Sequence, residues 1–396
     1  MFGKAGRRPR LTAFFAVAFH LLAVCGTGQL ATGAEPTPSQ AIDQPFASTL
    51  VAPGHRLIVV RSSIQAAVDE ARSGDVVFVP PGLYREAVRV SRGGLKIVGP
   101  KSAVIDGAGR TEPSGIRVAA PTAGAGLHGF EIYGLTVRNF SSNGIILIQV
   151  GDYRIVGGDY ENNESYGIFP ILPDNGRIAS NHVSGSSDSG IYVGQSSHST
   201  VVDNVCVNNT VGIEVENASS VTVRRNALHG NSIGILAVIL PNLTIKTTSG
   251  IDVNLNVVRN NNRENSTTEP GDPLALLPGG VGVLLVGADQ TRVNANRVLN
   301  NGSAGIAVVS LPHKFAKLDR LIDPAPDRDS ITANTVLGNG RQPDPRLGAL
   351  PPRDLLWDQT GHDDCWRRNV YRTAFPPVLP SCAPALVAAE GSRPSR

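Results

Sequence analysis

The segment NGIILI (143–148) returns along the chain as YGIFPI (166–171), SGIYVG (189–194) and VGIEVE (211–216). Its glycines lie at positions 144, 167, 190 and 212, and a glycine followed by an aliphatic residue recurs at 234, 282 and 305. An interval of 22 or 23 residues is typical of solenoids, in which each turn buries its apolar side by stacking on its neighbours. The 48 residues between 234 and 282 are interpreted as about two periods. The sequence therefore predicts a stack of short parallel strands.

Strand alternation assigns the side chains of this repeat to two faces. The residue after each glycine and the residue two positions later are all apolar, which places them inside the coil. The intervening positions form two outward columns: Ile146, Phe169, Tyr192, Glu214, Leu236, Leu284 and Ala307, and then Ile148, Ile171, Gly194, Glu216, Val238, Val286 and Val309. Because this outward face is mostly apolar, we expect other segments to cover it.

A second strand in each period is followed by asparagine, as in IASN (178–181), VDN (202–204) and VRRN (223–226). Asparagine tolerates left-handed turns and bonds to turn backbone, and stacked copies form side-chain ladders. The 43 glycines, 28 prolines and single methionine also suit many short strands and disfavour a helical bundle. The fold class is therefore all-β, and a parallel β-helix is predicted.

The first 34 residues have the form of an export signal, with four basic residues, an apolar run over 11–24 and small residues at 32–34. Cys25 is a candidate site for lipid attachment. Val24 stands where such motifs have a small residue, so lipoprotein anchoring is disfavoured. Beyond residue 34 the charges nearly balance, with 32 basic and 33 acidic residues, and no basic footprint for nucleic acid is found. We expect a monomer without a membrane span, periplasmic or fully secreted.

Residues 35–57 are interpreted as a polar, proline-bearing linker. A short amphipathic helix is predicted over 64–72, with Ser62 or Ser63 as its N-cap, and it would cover the open end of a solenoid.

This opening resembles that of secreted right-handed parallel β-helix proteins of the pectin-lyase-like superfamily, and the resemblance rests on IQAA (64–67), GD (74–75), PG (81–82) and YRE (84–86). It implies a single-stranded, right-handed parallel β-helix over residues 58–340, and it is specific for fold rather than for activity.

Two proline-rich stretches, residues 240–280 and 311–330, interrupt the repeat. Both are too long for coil turns, so we expect loops that leave the β-helix beside the glycine strands and cover the outward face. Residues 341–396 are interpreted as a C-terminal cap and tail. In an exported protein Cys365 and Cys382 are expected to form a disulfide bond that closes this tail.

The mostly apolar outward face contains one small group of polar residues. Glu214 and Glu216 lie two residues apart on one strand, about 7 Å from the rise per residue, and Tyr192 precedes Glu214 by one coil. Paired carboxylates divide acid and base roles on a sugar, and a tyrosine beside a carboxylate serves lyase or epimerase chemistry. With Asp188, these are the predicted catalytic residues. The predicted substrate-binding residues are Tyr166, Phe169, Gln195 and Asn217. The structural alternative is that both glutamates only accept hydrogen bonds from covering loops.

The coils YGIFP (166–170), SDSGIYVGQ (187–195) and GIEVEN (212–217) resemble a bacterial family of parallel β-helix repeat proteins that is defined by its coils and has no settled reaction. Phe169 departs from the family pattern, which often has a second tyrosine there, and this weakens any role for a phenol on that coil. The Asp-Pro-His-Glu motif of mannuronan epimerases is absent. No aspartate cluster or Gly/Asp nonapeptide indicates calcium, so no metal site is predicted, and the cofactor stays open.

Three functions therefore remain open. The first is a lyase, epimerase or hydrolase acting on an extracellular or cell-wall polysaccharide. The second is a glycan-binding or envelope scaffold without turnover. The third is a periplasmic maturation factor of the kind that assists copper insertion, against which the lack of a Met/His/Cys cluster argues.

Overall fold

The computed structural model describes residues 41–122, 124–267 and 273–383. The predicted signal peptide (1–34) with Cys25, the first residues of the predicted linker, and the last residues of the tail lie outside this range. Within it the chain is a right-handed parallel β-helix, as the repeat and the resemblance predicted.

Each full turn contributes one strand to an 11-stranded parallel sheet, named here the glycine sheet. Its strands are Val88–Val90, Ser114–Ala119, Asn143–Ile148, Tyr166–Ile171, Ser189–Gly194, Val211–Glu216, Ile233–Val238, Val281–Val286, Ala304–Val309, Arg353–Trp357 and Ala374–Phe375.

A 20-stranded sheet, named here the asparagine sheet, closes the rest of each turn with two short strands on most coils. Its strands are Leu57–Val59, Val76–Phe78, Gly82–Tyr84, Lys96–Asp106, Glu131–Arg138, Arg154–Val156, Asp159–Glu161, Arg177–Ala179, His182–Ser184, Thr200–Val202, Val205–Val207, Thr222–Arg224, Ala227–His229, Asp252–Asn254, Val257–Arg259, Arg292–Asn294, Arg297–Leu299, Ser330–Thr332, Thr335–Leu337 and Cys365–Arg367. A small sheet pairs Leu127–His128 with Val150–Gly151.

The repeated glycines stack in one column, as predicted, because there is no room beside them. A Cβ on Gly144 would lie 2.6 Å from the carbonyl oxygen of Gly167, and one on Gly212 would lie 2.7 Å from that of Gly234. The same contact continues from Gly234 to the next glycine. Any side chain there would push neighbouring coils apart, which explains why glycine recurs once per turn.

The predicted asparagine ladder is present at the turn between the two strands of the asparagine sheet. Asn204 donates its side-chain amide to Asn226 at 3.0 Å, and Asn226 does the same to Asn256. A second ladder that the sequence analysis missed runs beside the glycine column through Asn209, Asn231, Asn261, Asn301 and Asn339. Both ladders satisfy buried turn backbone in successive coils.

The prediction that residues 240–280 form one loop is wrong in part. Strands Asp252–Asn254 and Val257–Arg259 lie inside this stretch and complete a coil, so Gly234 and Gly282 are on neighbouring turns rather than two periods apart. The insertion is therefore two loops, one on each side of these strands. The loop at 311–330 is confirmed and contains a short helix, His313–Ala316. A 3-10 turn, Pro273–Leu276, lies in the first insertion, and another, Pro345–Leu347, lies between the strands Thr335–Leu337 and Arg353–Trp357.

The ends also differ from the predicted boundaries. Residues 44–49 of the predicted linker form a helix, Gln44–Thr49, whose Phe46 packs edge-on against Tyr133 with ring centroids 5.7 Å apart. The predicted capping helix is confirmed at Ile64–Glu70, with Ser63 as the N-cap. At the other end the strands continue past residue 340 to Phe375. The predicted disulfide Cys365–Cys382 is present and closes the last coil.

Candidate functional site

The outward face of the glycine sheet changes from partly polar to apolar along the β-helix, towards the C-terminus. The register pairs Tyr192 with Glu214 and Gly194 with Glu216, which is the adjacency that the sequence predicted. Towards the C-terminus the same columns continue as aliphatic residues, and Leu236, Val238, Leu284 and Val286 are buried in a cluster with residues of the insertions. The polar residues therefore lie where the covered part of the face begins.

Glu216 is held by a phenol from the preceding coil. Tyr192 donates its hydroxyl to Glu216 Oε1 at 2.7 Å. To reach it, the tyrosine ring lies across Gly194, and a Cβ on that glycine would stand 1.9 Å from the phenolic oxygen. Gly194 is thus required by the side chain that orients Glu216, a reason that its place in the repeat did not reveal.

Glu214 is the more deeply buried of the pair, 6 % exposed, whereas Glu216 is half-buried. Ser189 donates its hydroxyl to Glu214 Oε2, and its Oγ also lies 3.2 Å from Asp188 Oδ1. Ser189 was not predicted as a site residue. Its only sequence signal is its position directly before a repeat glycine, on the coil that also carries Tyr192 and Asp188.

Three aromatic rings extend the site toward the N-terminus. Tyr166 and Phe169 stack with centroids 4.2 Å apart, and Phe169 lies 4.7 Å from Tyr192. Burial, followed by the charge of Asp188, raises the pKa of Tyr166 well above its ordinary value. Burial and the charge of Glu216 do the same to the pKa of Tyr192. Both phenols are therefore protonated at neutral pH and serve as hydrogen-bond donors rather than bases.

Gln195 and Asn217 contact the covering loop instead of the pocket. Thr244 donates its backbone N–H to Gln195 Oε1 at 2.8 Å. Asn217 is fully buried, donates to the carbonyls of Leu240 and Ile245, and accepts from the Leu240 N–H. These bonds fix the loop after Val238 on the sheet, and a substrate-binding role for either residue stays a prediction.

A pocket of about 90 Å³ lies between the two glutamates and the insertions. Tyr166, Asp188, Glu214 and Glu216 form its polar end. The other lining residues are Leu236, Val238, Leu240, Pro273, Leu274, Leu276, Leu277, Val286, Leu311, Pro312 and Phe315. The structure thus brings four of the eight predicted site residues to one pocket and places Tyr192 directly behind them.

A second group of buried carboxyls lies inside the last coils. Asp329 and Asp364 follow Thr291 in an interior column, and Asp329 Oδ1 accepts the Thr291 N–H at 2.7 Å while Asp364 Oδ1 accepts the Asp329 N–H at 2.8 Å. The Oδ2 atom of each is buried without a hydrogen-bond partner. Burial raises the pKa of Asp329 to about 9 and that of Asp364 to about 7.

Over the described residues, no group of three or more His, Cys, Asp or Glu side chains is arranged to hold a metal ion. In the same part of the chain, no helix is both long and apolar enough to cross a bilayer.

Comparison with known proteins identifies the fold. Residues 115–248 match the family described as "Right handed beta helix region". The A-module of Azotobacter vinelandii mannuronan C-5 epimerase AlgE4 is 17% identical with a TM-score of 0.58, over 82% of this chain and 94% of that module. The periplasmic alginate epimerase AlgG is 14% identical with a TM-score of 0.53, over 82% of this chain and 80% of AlgG. Among curated proteins, none matches the sequence. The resemblance to pectin-lyase-like β-helices is thereby confirmed for the fold.

Proposed function

We propose that this β-helix is an exported, monomeric protein that acts on a polysaccharide, with Glu214 and Glu216 as its acid–base pair. One observation carries the proposal: two carboxylates at successive outward positions of one strand line the same pocket, and each is held by a hydroxyl from the neighbouring coil. Buried carboxylates at the mouth of an apolar pocket are costly and mark functional sites more often than other buried groups. The shared fold with two alginate epimerases supports a polysaccharide as the ligand by analogy only.

The two glutamates have different surroundings, and this assigns them different roles. Glu214 is almost fully buried with Asp188 nearby and accepts the Ser189 hydroxyl, and the proposal assigns it the role of proton donor because it is the less solvated of the two. Glu216 is half-buried and accepts the Tyr192 hydroxyl, which favours its charged form and the role of base or nucleophile. Tyr192 is a positioning residue because its phenol orients Glu216.

Within this proposal, glycoside hydrolysis fits the pocket better than lyase or epimerase chemistry. Removing the proton beside a uronate carboxylate is easier when positive charge stabilises the developing anion. The described side chains that line the pocket include neither lysine, arginine nor histidine. Two carboxylates, in contrast, are what hydrolysis of a glycosidic bond requires.

A screen of the purified exported protein against neutral and acidic polysaccharides tests this proposal. New reducing ends without unsaturated products would support hydrolysis. Unsaturated ends would instead indicate a lyase, and a changed uronate composition without chain cleavage would indicate an epimerase.

Glycan binding without turnover is the second candidate. The stacked Tyr166–Phe169 pair favours it, because aromatic faces pack on the apolar faces of sugars. Saturable binding of a glycan that is never cleaved or modified, even at high enzyme concentration, would select this alternative.

A further inference from the structure

The pocket beside Glu214 and Glu216 has two chemically different ends. One end carries the carboxylates of Asp188, Glu214 and Glu216 with the phenol of Tyr166. The walls opposite are almost entirely aliphatic and are contributed by four separate segments, the strands Ile233–Val238 and Val281–Val286 and the two insertions. A ligand that fills this space must therefore offer hydrogen-bond donors at one end and an apolar group at the other.

The charge of the polar end excludes sugars that carry a carboxylate, such as uronates, from the pocket. Whatever protons the three carboxyls share, they supply no positive charge, and the described lining residues add none. A uronate carboxylate placed there would meet like charge in a weakly solvated pocket, where repulsion is stronger than in water. A sugar unit without a carboxylate, with N–H or O–H donors, matches the acceptors instead.

The volume of the pocket limits how much of a ligand it can enclose. At about 90 Å³ the pocket is well below the roughly 300–1,000 Å³ typical of sites that enclose a whole small molecule. It has room for a single substituent of a sugar, while the ring remains at the mouth near Glu216. An aliphatic wall favours a methyl group rather than another hydroxyl, because a buried hydroxyl without a partner is costly.

We infer that the pocket takes the acetamido group of an N-acetylated amino sugar within a polysaccharide. The acetamido N–H donates to the carboxylate end, and the methyl group packs among Leu236, Leu277 and Phe315. The neighbouring sugar then lies toward the stacked Tyr166–Phe169 pair. This inference rests on the proposed function and adds the substrate class to it.

Binding titrations with three hexamers of equal length test the inference: β-1,4-linked N-acetylglucosamine, β-1,4-linked glucose, and β-1,4-linked mannuronate. The first should bind at least about tenfold more tightly than the second, the discrimination expected for one apolar group in a fitted pocket. Mannuronate should bind most weakly. Equal or tighter binding of glucose or mannuronate would overturn the inference while leaving the proposed function intact. Binding of none of the three, nor of any polysaccharide in the screen, would remove both.

Filling the pocket provides the matched variant. Leu277→Trp places a large ring in the apolar end and should abolish the preference for N-acetylglucosamine over glucose. Leu318→Trp is the control, since Leu318 lies on the other insertion, is 53 % exposed and does not line the pocket. Thermal unfolding of both variants checks the fold. A preference that survives in a folded Leu277→Trp variant would place the acetamido group elsewhere.

Discussion

Glu214 with Glu216 and Asp329 with Asp364 are two pairs of carboxyl groups in the described part of this β-helix, and they differ in the partners that surround them. Glu214 and Glu216 project outward from the glycine sheet, accept hydroxyl groups of Ser189 and Tyr192, and face a pocket. Asp329 and Asp364 project into the coil, where each binds one backbone N–H and keeps one oxygen without a partner.

The difference shows that burial of a carboxyl does not by itself indicate a functional site. Asp329 and Asp364 are 0 % and 4 % exposed, at least as buried as Glu214, yet they do not line the pocket beside Glu214 and Glu216. Their Oδ1 atoms accept backbone N–H groups of the preceding coil, as the asparagine Oδ1 atoms do in the ladders, so the role of the two aspartates is structural. The outward pair has hydroxyl donors, an opening and a cover, which together support chemistry.

The largest effect is expected from the outward pair. Glu214→Gln and Glu216→Gln keep the shape of each side chain but remove proton transfer, so turnover of the polysaccharide identified by the screen should fall at least about 100-fold. The melting temperatures should stay close to that of the wild type. Steady-state rates and thermal unfolding measure the two quantities.

Asp329→Asn is the reciprocal control for these variants and should leave turnover unchanged. Full activity in both glutamine variants would remove the distinction between the two pairs.

The inward pair predicts a pH-dependent stability. Asp329 has a folded pKa of about 9 and Asp364 of about 7, against an ordinary value of 3.8. Above about pH 4 the unfolded chain loses protons that the folded coil retains, so the free energy of unfolding falls as pH rises. The fall is steepest where both carboxyls are protonated in the folded coil and ionised in the unfolded chain. It ends once pH passes the folded pKa.

Asp329→Asn should therefore be more stable than the wild type at pH 8 and should flatten this dependence. The new amide can donate to Asp364 as Asn339 donates to Asp354 at 3.0 Å. Thermal unfolding between pH 5 and 8 measures the effect, with Asp289, Asp327 and His362 as the other titratable groups nearby. A wild-type curve that rises with pH would contradict the assignment.

The disulfide affects the inward pair of aspartates because Cys365 directly follows Asp364. It closes a loop with a sequence separation of 17, for which the chain-entropy estimate is about 3 kcal/mol. A Cys365→Ser/Cys382→Ser variant should loosen the last coil and weaken the pH dependence, because water then reaches Asp364. Turnover at the outward pair should change little. Intact mass with and without reductant verifies the bond in the wild type.

Gly194→Ala should have the smallest effect and acts only on the outward pair. The added Cβ displaces the Tyr192 ring and breaks its hydrogen bond to Glu216. We expect the turnover rate of Gly194→Ala to fall about tenfold, which corresponds to a loss of about 1.4 kcal/mol in transition-state stabilisation. Its pH–rate profile should also shift, because the Tyr192 hydroxyl no longer stabilises the Glu216 carboxylate.

Gly82→Ala is the matched control, since its Cβ meets Tyr84 at an ordinary 3.4 Å. Unchanged kinetics in a folded Gly194→Ala variant would show that Tyr192 does not position Glu216.

The sequence alone determined the coil, the inward columns and the neighbours across coils. A constant period in a parallel sheet fixes which residues lie side by side, so the pairing of Tyr192 with Glu214 followed from counting. The glycine column and the first asparagine ladder were predictable for the same reason, because each depends on the repeat and its register. The disulfide was predictable from the expected export of the protein and the two cysteines in its tail.

Only the tertiary structure decided what each outward side chain touches. That Tyr192 crosses Gly194, that Ser189 binds Glu214 and that Gln195 holds Thr244 depend on side-chain directions and on insertions that obey no period. The strands within 240–280 were missed although VNLN (253–256) carries the asparagine pattern, because loops on both sides of them break the interval of 22 or 23 residues. The orphaned oxygens of the inward aspartates become visible only when their neighbours are placed. Periodicity encodes contacts between equivalent positions, whereas contacts between non-equivalent segments are set by packing.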